Sequence, residues 1–236
     1  MTAAEARRLV AQAGRVLGAN GHADYIWGHV ALRDPAGRGM WMKRSGLGFD
    51  EVTDADVLLL DLADGAVLDG AGRAHLEWPI HAAVLTARPD VAATVHTHPE
   101  HALAVAAAGV PLLAVGQAGT AFAPDDLPRF DATTRLIDSL ALGEQVAARL
   151  GDAPAVLLVN HGIVTVGEDL PTAVARAVVL EDACRQQVLA ASLGGARALP
   201  TQEDALATRD TSWSPAAMHG LWDYLVRRLP QTAEAS

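Results

Sequence analysis

Two short apolar runs that end in histidine constrain this chain more than any other feature. Val91-Ala92-Ala93-Thr94-Val95 follows Arg88-Pro89-Asp90 and leads into His96-Thr97-His98-Pro99, and Val156–Val159 leads into Asn160-His161-Gly162. Each run is too short for a packed helix and is bounded by turn formers, so each reads as a buried strand. Pro89 disfavours α geometry at Arg88 and closes the helical pattern Glu77–Ala87 before the first strand. Residues i and i+2 of a strand face the same side, so His96 and His98 can reach one ion at the sheet's edge.

Around these runs the chain changes texture twice. Residues 2–19 place Leu9, Val10, Ala13, Val16 and Leu17 at helical spacing, with Gly18-Ala19-Asn20-Gly21 as a stop. From Trp27 to Leu68, apolar runs at His29–Leu32, Gly39–Met42, Val57–Asp61 and Ala66–Leu68 are separated by Asp-Pro, Gly-Arg-Gly and Asp-Gly, which predicts strands joined by tight turns. Beyond His98, the patterns predict a helix over Pro99–Ala108, a strand over Val110–Val115 and a loop over Gly116–Phe130. A helix over Ala132–Leu150 follows, then strands at Ala155–Asn160 and Ile163–Val166, and helices at Pro171–Leu193 and Pro215–Leu229. Helices separated by both hairpins and crossover-like units imply an α/β layered domain with a mixed or antiparallel sheet. A length of 236 residues suits one domain over 1–236, with a frayed tail from about residue 230.

Composition narrows the function classes. With 18 basic against 28 acidic residues and a pI near 5.2, no surface is expected to neutralise nucleic-acid or membrane phosphates. A single cysteine, Cys184, excludes a disulfide framework and a zinc ribbon. No signal-peptide core or long apolar run is present, so a soluble cytoplasmic protein is expected.

The nine histidines are the exception in this aliphatic, acidic chain. His96, His98 and His161, from two strand ends, form a candidate divalent-metal triad with an open position for substrate; the alternative is ordinary strand-end histidines. Glu77 opens a helix just before the histidine strand, which suits either a fourth ligand or proton shuttle, or a negative charge placed at a helix N-terminus. His81 and His101, each one turn into a helix, read as packing residues beside such a site. Spacing alone does not place His22, His29, His75 or His219. Cys184 reads as a small buried apolar residue.

Taken together, Glu77-Trp78-Pro79-Ile80-His81, Ala87-Arg88-Pro89-Asp90-Val91, His96-Thr97-His98-Pro99, Asn160-His161-Gly162 and Val166-Gly167 resemble the class II aldolase/adducin family, over about Leu9 to Leu193. The resemblance implies a three-layer α/β/α sandwich around a mainly antiparallel sheet and a homotetramer with sites at subunit interfaces. It also implies a divalent ion (Zn, Mn, Fe or Co) on His96, His98 and His161, and the family's catalytic carboxylate at Glu77.

The departures are equally specific. Where sugar-phosphate members of the family carry small polar side chains to cradle phosphate, this chain has Gly28-His29 and His75-Leu76, and only Ser45-Gly46 remains, after Lys43-Arg44. The resemblance is therefore to the branch that decarboxylates hydroxylated aromatic or pyridine carboxylates. The substrate expected is a small anion bound by Gly28, Arg44, Ser45, Gly46 and His75, with Arg44 rather than Lys43 facing inward and Glu77 and His29 handling the proton. The aldolase or 4-epimerase branch stays open through Ser45-Gly46. An iron-dependent oxygenase is a third reading, and a non-catalytic scaffold a fourth, disfavoured by the metal histidines. In this family C-terminal aromatics can reach a neighbour's pocket, which makes His219, Trp222 and Tyr224 candidates.

Overall fold

The computed structural model describes residues 1–230; the expected fraying beyond residue 230 lies outside the described residues. Among the described residues eight α-helices, α1 (Ala3–Leu17), α2 (Trp78–Ala87), α3 (Glu100–Ala108), α4 (Gly116–Thr120), α5 (Leu140–Leu150), α6 (Leu170–Ser192), α7 (Gln202–Ser212) and α8 (Pro215–Arg227), accompany eight strands. The strands are β1 (His29–Arg33), β2 (Met40–Lys43), β3 (Val57–Leu60), β4 (Val67–Asp69), β5 (Ala93–Thr97), β6 (Arg129–Phe130), β7 (Ala155–Leu158) and β8 (Gly162–Gly167). They form one sheet in the order β4-β3-β2-β1-β5-β8-β7-β6. No helix among the described residues is long and apolar enough to cross a membrane.

Alternation along the strands divides the core in two. Val30, Leu32, Trp41, Leu59, Val95 and Ile163 pack with Val10 and Leu17 of α1 and with α3 and α6, whereas Ala31, Met40, Met42, Leu58 and Val164 pack with Ile80 and Val84 of α2 and Val146 of α5. Antiparallel register sets His29 opposite His96 and Ala31 opposite Thr94 across β1 and β5, and His96 opposite Val164 across β5 and β8. His29, Thr94 and His96 therefore share the face covered by α2.

Several elements depart from the sequence reading. The expected loop over Gly116–Phe130 opens with α4 and closes with β6, which runs parallel to β7 and makes the otherwise antiparallel sheet mixed. Val110–Val115 is not a strand, because its backbone is satisfied by side chains: Leu112 N donates to Asp126, Leu113 N to Gln187 Oε1, and Gln187 Nε2 to the Pro111 carbonyl. The helix expected over Ala132–Leu150 begins only at Leu140, where Ser139 caps it. Helix α7, mostly polar and therefore without an apolar stripe to read, is nucleated by Thr201, whose side chain accepts from Asp204 N.

Helices α2 and α5 meet through Gly143. A Cβ there stands 2.4 Å from the Pro79 carbonyl oxygen and 3.0 Å from Ala83 Cβ, so only glycine lets α5 press against the first turn of α2. Alanine at an exposed helical position gains about 1 kcal/mol over glycine. Here overpacking dominates, and Gly143→Ala is expected to lower stability by about 1–3 kcal/mol, read as a lower urea midpoint with unchanged m-value.

Candidate metal centre

Three elements converge where β5 ends. The β5 strand delivers His96 and, just past it, His98. The β7–β8 turn delivers His161, held by the bond from His161 N to the Leu158 carbonyl (3.0 Å) and by a left-handed Asn160, φ 56°, a conformation asparagine tolerates. Gly162 lets this turn lie against β5: a Cβ would sit 2.5 Å from the Thr97 carbonyl oxygen and 2.8 Å from His98 Cδ2. Glu77 stands at the N-terminus of α2 but makes no capping bond. Its Oε1 instead accepts from Ile137 N (2.8 Å) and lies 3.2 Å from His161 Nε2, while Oε2 lies 3.6 Å from His96 Nε2.

One ligand atom from each of Glu77, His96, His98 and His161 lies within 4.8 Å of the others, a cluster that could hold a metal ion. The hydrogen bonds around it favour a cation. His96 Nδ1 donates to the Ile163 carbonyl (2.9 Å) and His98 Nδ1 to Asp24 Oδ2 (2.9 Å). A neutral imidazole with Nδ1–H presents a lone pair at Nε2. The two Nε2 atoms face each other at 3.0 Å, two acceptors without a proton between them, and neither ring nitrogen of half-buried His161, both shielded from solvent, has a hydrogen-bond partner. A shared cation gives a partner to the Nε2 atoms of His96 and His98 and to one ring nitrogen of His161 at once.

Electrostatics point the same way. Burial and the neighbouring charges of His96 and His161 push His98 down to about 3, so it is neutral near pH 7. Burial opposes ionisation of Glu77, but the close approach of His161 and His96 outweighs it and holds the carboxyl well below its usual range. Neutral imidazoles and an ionised carboxylate are the forms that ligate metal.

The flanking residues fall into two groups. His29 lies against the cluster, its ring centroid 5.0 Å from His96 and 4.7 Å from His75, with Nδ1 2.6 Å from His81 Nε2. His81 is buried and bonded in turn to Thr94 Oγ1. Gly28 leads into β1, and its backbone packs against Phe49. The inward-facing member of the Lys43-Arg44 pair is Lys43, correcting the expectation. Lys43 is buried, and its Nζ donates to the Ile26 and Leu47 carbonyls and to His75 Nε2 (3.1, 2.6 and 3.1 Å), which uses all three of its protons. Burial lowers its pKa to about 8, and burial with the Lys43 charge lowers His75 to about 3. Arg44 turns away because its Nε donates to Asp56 Oδ1 (2.8 Å), and its chain lies over Gly72. Ser45 N is taken by the Arg73 carbonyl, and Gly46 borders open space.

Other candidates lie apart. Trp222 is buried in this chain's own core, so it does not project toward a neighbour, whereas Tyr224 is exposed beside Arg228. His219 pairs with Asp169 and His101 with Glu181 (both 2.6 Å). His22 is buried on the opposite face of β5, bonded to Thr97 Oγ1. A cavity of about 940 Å³ lies by Arg88, Val91, Gly167 and Trp213, near the other ends of β5 and β8, and no residue of the cluster lines it. Sequence reasoning missed Asp24, Thr94 and the Ile137 amide. Only Thr94 carried a signal, as the polar residue two before His96 in an apolar strand.

The Asp24 contact generates a test. Asp24→Ala leaves His98 without its Nδ1 acceptor and is expected to weaken metal binding about 10- to 100-fold, measured by competition with a chelator. His96→Ala and His161→Ala are expected to abolish stoichiometric metal by elemental analysis while far-UV circular dichroism is retained.

Comparisons with known proteins fit this geometry. Residues 8–188 match the family described as class II aldolase and adducin N-terminal domain. A 3,4-dihydroxyphthalate decarboxylase from Terrabacter sp. (strain DBF63) is 33% identical over 234 residues, covering 94% of this chain and 96% of that protein. A 4-hydroxy-3-prenylphenylpyruvate oxygenase/4-hydroxy-3-prenylbenzoate synthase from Streptomyces roseochromogenus subsp. oscitans is 33% identical over 181 residues, 76% of this chain and 65% of that one. Among solved structures, an L-fuculose 1-phosphate aldolase from Glaciozyma antarctica PI12 superposes with a TM-score of 0.84 at 27% identity, over 95% of this chain and 88% of that chain. The match over most of the length, on a fold that gathers Glu77 with three histidines, places the chain in the class II aldolase and adducin family.

Proposed function

We propose that this protein is a divalent-metal-dependent carbon–carbon lyase that decarboxylates a hydroxylated aromatic carboxylate of the dihydroxyphthalate or hydroxypyridine dicarboxylate class. The ion is held by His96, His98 and His161. The observation that carries this reading is a Glu77/three-histidine cluster, Glu77 and His96 buried and His98 and His161 half-buried, flanked by the imidazoles of His29 and His75. Sugar-phosphate members resembling this chain carry small polar side chains at those places. The similarity to a dihydroxyphthalate decarboxylase supports the same substrate class.

When bound, the ion supplies a Lewis-acid centre that draws charge onto a substrate oxygen. The chain's own groups then divide the work. Ionised Glu77 takes the proton of the ring hydroxyl; the bond from ring carbon to carboxylate breaks, its electron pair stays on the ring, and carbon dioxide leaves. Glu77 returns the proton to that ring carbon, and solvent restores the hydroxyl proton. His29, beside His96, orients the substrate.

A second reading, cleavage or epimerisation of a sugar phosphate, is favoured by one observation: Ser45-Gly46 persists as an open turn, in a fold similar to a fuculose phosphate aldolase. Metal-loaded protein is expected to release carbon dioxide from vicinal dihydroxyphthalates or hydroxypyridine dicarboxylates. Turnover of a sugar phosphate with no carbon dioxide from any of these acids would instead select the second reading, and oxygen uptake with iron(II) would select an oxygenase. Glu77→Gln is expected to lower kcat about 10²- to 10⁴-fold with the fold intact; activity within a few fold of the parent assigns the proton to another group.

Assembly belongs to the same reading. Tyr25, Ile26, Trp27 and Leu76 are exposed, Tyr25 by 81% and Leu76 by 70%, directly beside Asp24 and Glu77. A neighbouring subunit covering them completes the site in a homotetramer. Sedimentation velocity is expected to give a species four times the 24.6 kDa chain, and Trp27→Glu to shift it toward the monomer.

A further inference from the structure

The cavity of about 940 Å³ beside Trp213 has a chemistry of its own. Its walls are the segment leading into β5, the end of β8, the stretch between α4 and β6, and the turn that joins α7 to α8. Three arginines line it, and two are already committed. Arg88 donates Nε and Nη2 to Asp90 (2.9 and 2.6 Å) and Nη1 to the Gly151 carbonyl (2.6 Å). Arg209 donates Nε and Nη2 to Asp210 (3.0 and 2.9 Å) and Nη1 to the Ala123 carbonyl (2.9 Å).

Arg176, on α6, is different. Among the described residues its guanidinium makes one hydrogen bond, from Nη1 to the Val166 carbonyl (2.6 Å). The one carboxylate oxygen within 4.0 Å, Glu168 Oε2, stands at that distance on an exposed side chain. The Arg176 side chain is only 27% exposed, so a permanent cation is held largely out of water with most of its five N–H donors free beside the cavity. A charge so placed without a partner is unfavourable, and a ligand anion offsets it.

The remaining lining selects the body and the charge of that ligand. Val91, Phe122 and Met218 offer buried apolar surface, and Trp213, its Nε1 tied to the Gln117 carbonyl (3.0 Å), offers an aromatic one. Asp125, Asp152 and Glu168 are exposed and form the rim, and none of the three accepts a hydrogen bond among the described residues. A second negative charge on the ligand would meet these carboxylates, and like charges brought together repel.

We propose that this cavity binds an aromatic monocarboxylate, with its carboxylate on the Arg176 guanidinium and its ring against Phe122, Trp213 and Met218, and that the acidic rim rejects dicarboxylates. The planar guanidinium fork matches a carboxylate through two parallel hydrogen bonds. The product of the lyase reaction proposed above has one carboxylate fewer than its dicarboxylate substrate and so belongs to this ligand class, while the substrate does not. That identification rests on the lyase reading; the binding chemistry does not. The cavity is then a product site, set at the opposite end of β5 from the metal cluster.

Trp213 reports on the cavity directly. Zinc-loaded protein labelled with ¹⁵N-tryptophan is titrated with benzoate, which has no ring hydroxyl, and separately with phthalate, and the Trp213 indole resonance, assigned with Trp213→Phe, is followed. Benzoate is expected to shift it saturably by roughly 10 mM, and phthalate to act at least about 10-fold more weakly. An unmoved Trp213 resonance, or phthalate acting as strongly as benzoate, overturns the proposal. Arg176→Gln is expected to weaken the benzoate effect about 10- to 100-fold, the loss of a hydrogen-bonded charged partner, with zinc content unchanged; an undiminished effect overturns the assignment to Arg176. Should that variant fail to fold, the exposed pair Asp152→Asn and Glu168→Gln decides: together they are expected to raise phthalate affinity about 10-fold and benzoate affinity less, and an unchanged ratio overturns the rim's role. None of these readouts needs turnover. Failure of decarboxylation with benzoate still bound removes only the identification of the ligand as product.

Discussion

The bond from His96 Nδ1 to the Ile163 carbonyl governs the rest of the site. It ties the end of β5 to β8, fixes the tautomer of a fully buried imidazole, and turns Nε2 toward the place where His98, His161 and Glu77 meet. A buried histidine without such a partner is costly, and one whose second nitrogen faces two other imidazoles is costlier still. The fold accepts that cost because three elements, β5, the β7–β8 turn and the N-terminus of α2, end at one sheet edge. Each is braced from outside: the turn by Gly162 against Thr97, and α2 by Gly143 of α5 against Pro79.

Charge is arranged locally against an opposing background. The chain carries a formal charge of −10, which repels an anion at long range. Near the cluster His29, His75, His81 and His98 are held neutral by burial, and the Lys43 ammonium is spent on two loop carbonyls and His75. Lys43 thereby ties the segment before β1 to the loop after β2. In the proposed function an anionic substrate is held by the ion and by His29 beside it.

Much of the framework was legible because it rests on local rules. The helix over residues 2–19, the hairpin strands and the two histidine-terminated strands follow from periodicity and turn chemistry, and their bounds shift by a few residues only. Val110–Val115 misled because an apolar run says nothing of where its amides find acceptors; Asp126 and Gln187 supply them in place of a ladder. The start of α5 was misplaced because residues 131–138 are drawn away from helical geometry, with Ile137 N committed to Glu77. Lys43 and Arg44 were assigned the wrong way round since strand alternation gives only that they oppose one another. Which of them faces inward depends on Asp56 reaching Arg44.

By itself the sequence determined which chemistry is available: three imidazoles at strand ends, a carboxylate opening a helix, and histidines in place of small polar residues. These follow from residue identity and short-range spacing. Only the tertiary structure decided which lone pair each imidazole presents and which donor each acceptor meets. Those choices are made by Asp24, Thr94, Ile137 and Ile163, which lie up to 74 residues from the histidines and carboxylate they orient. A tautomer is set by the hydrogen bond on the far side of the ring, and packing supplies that partner.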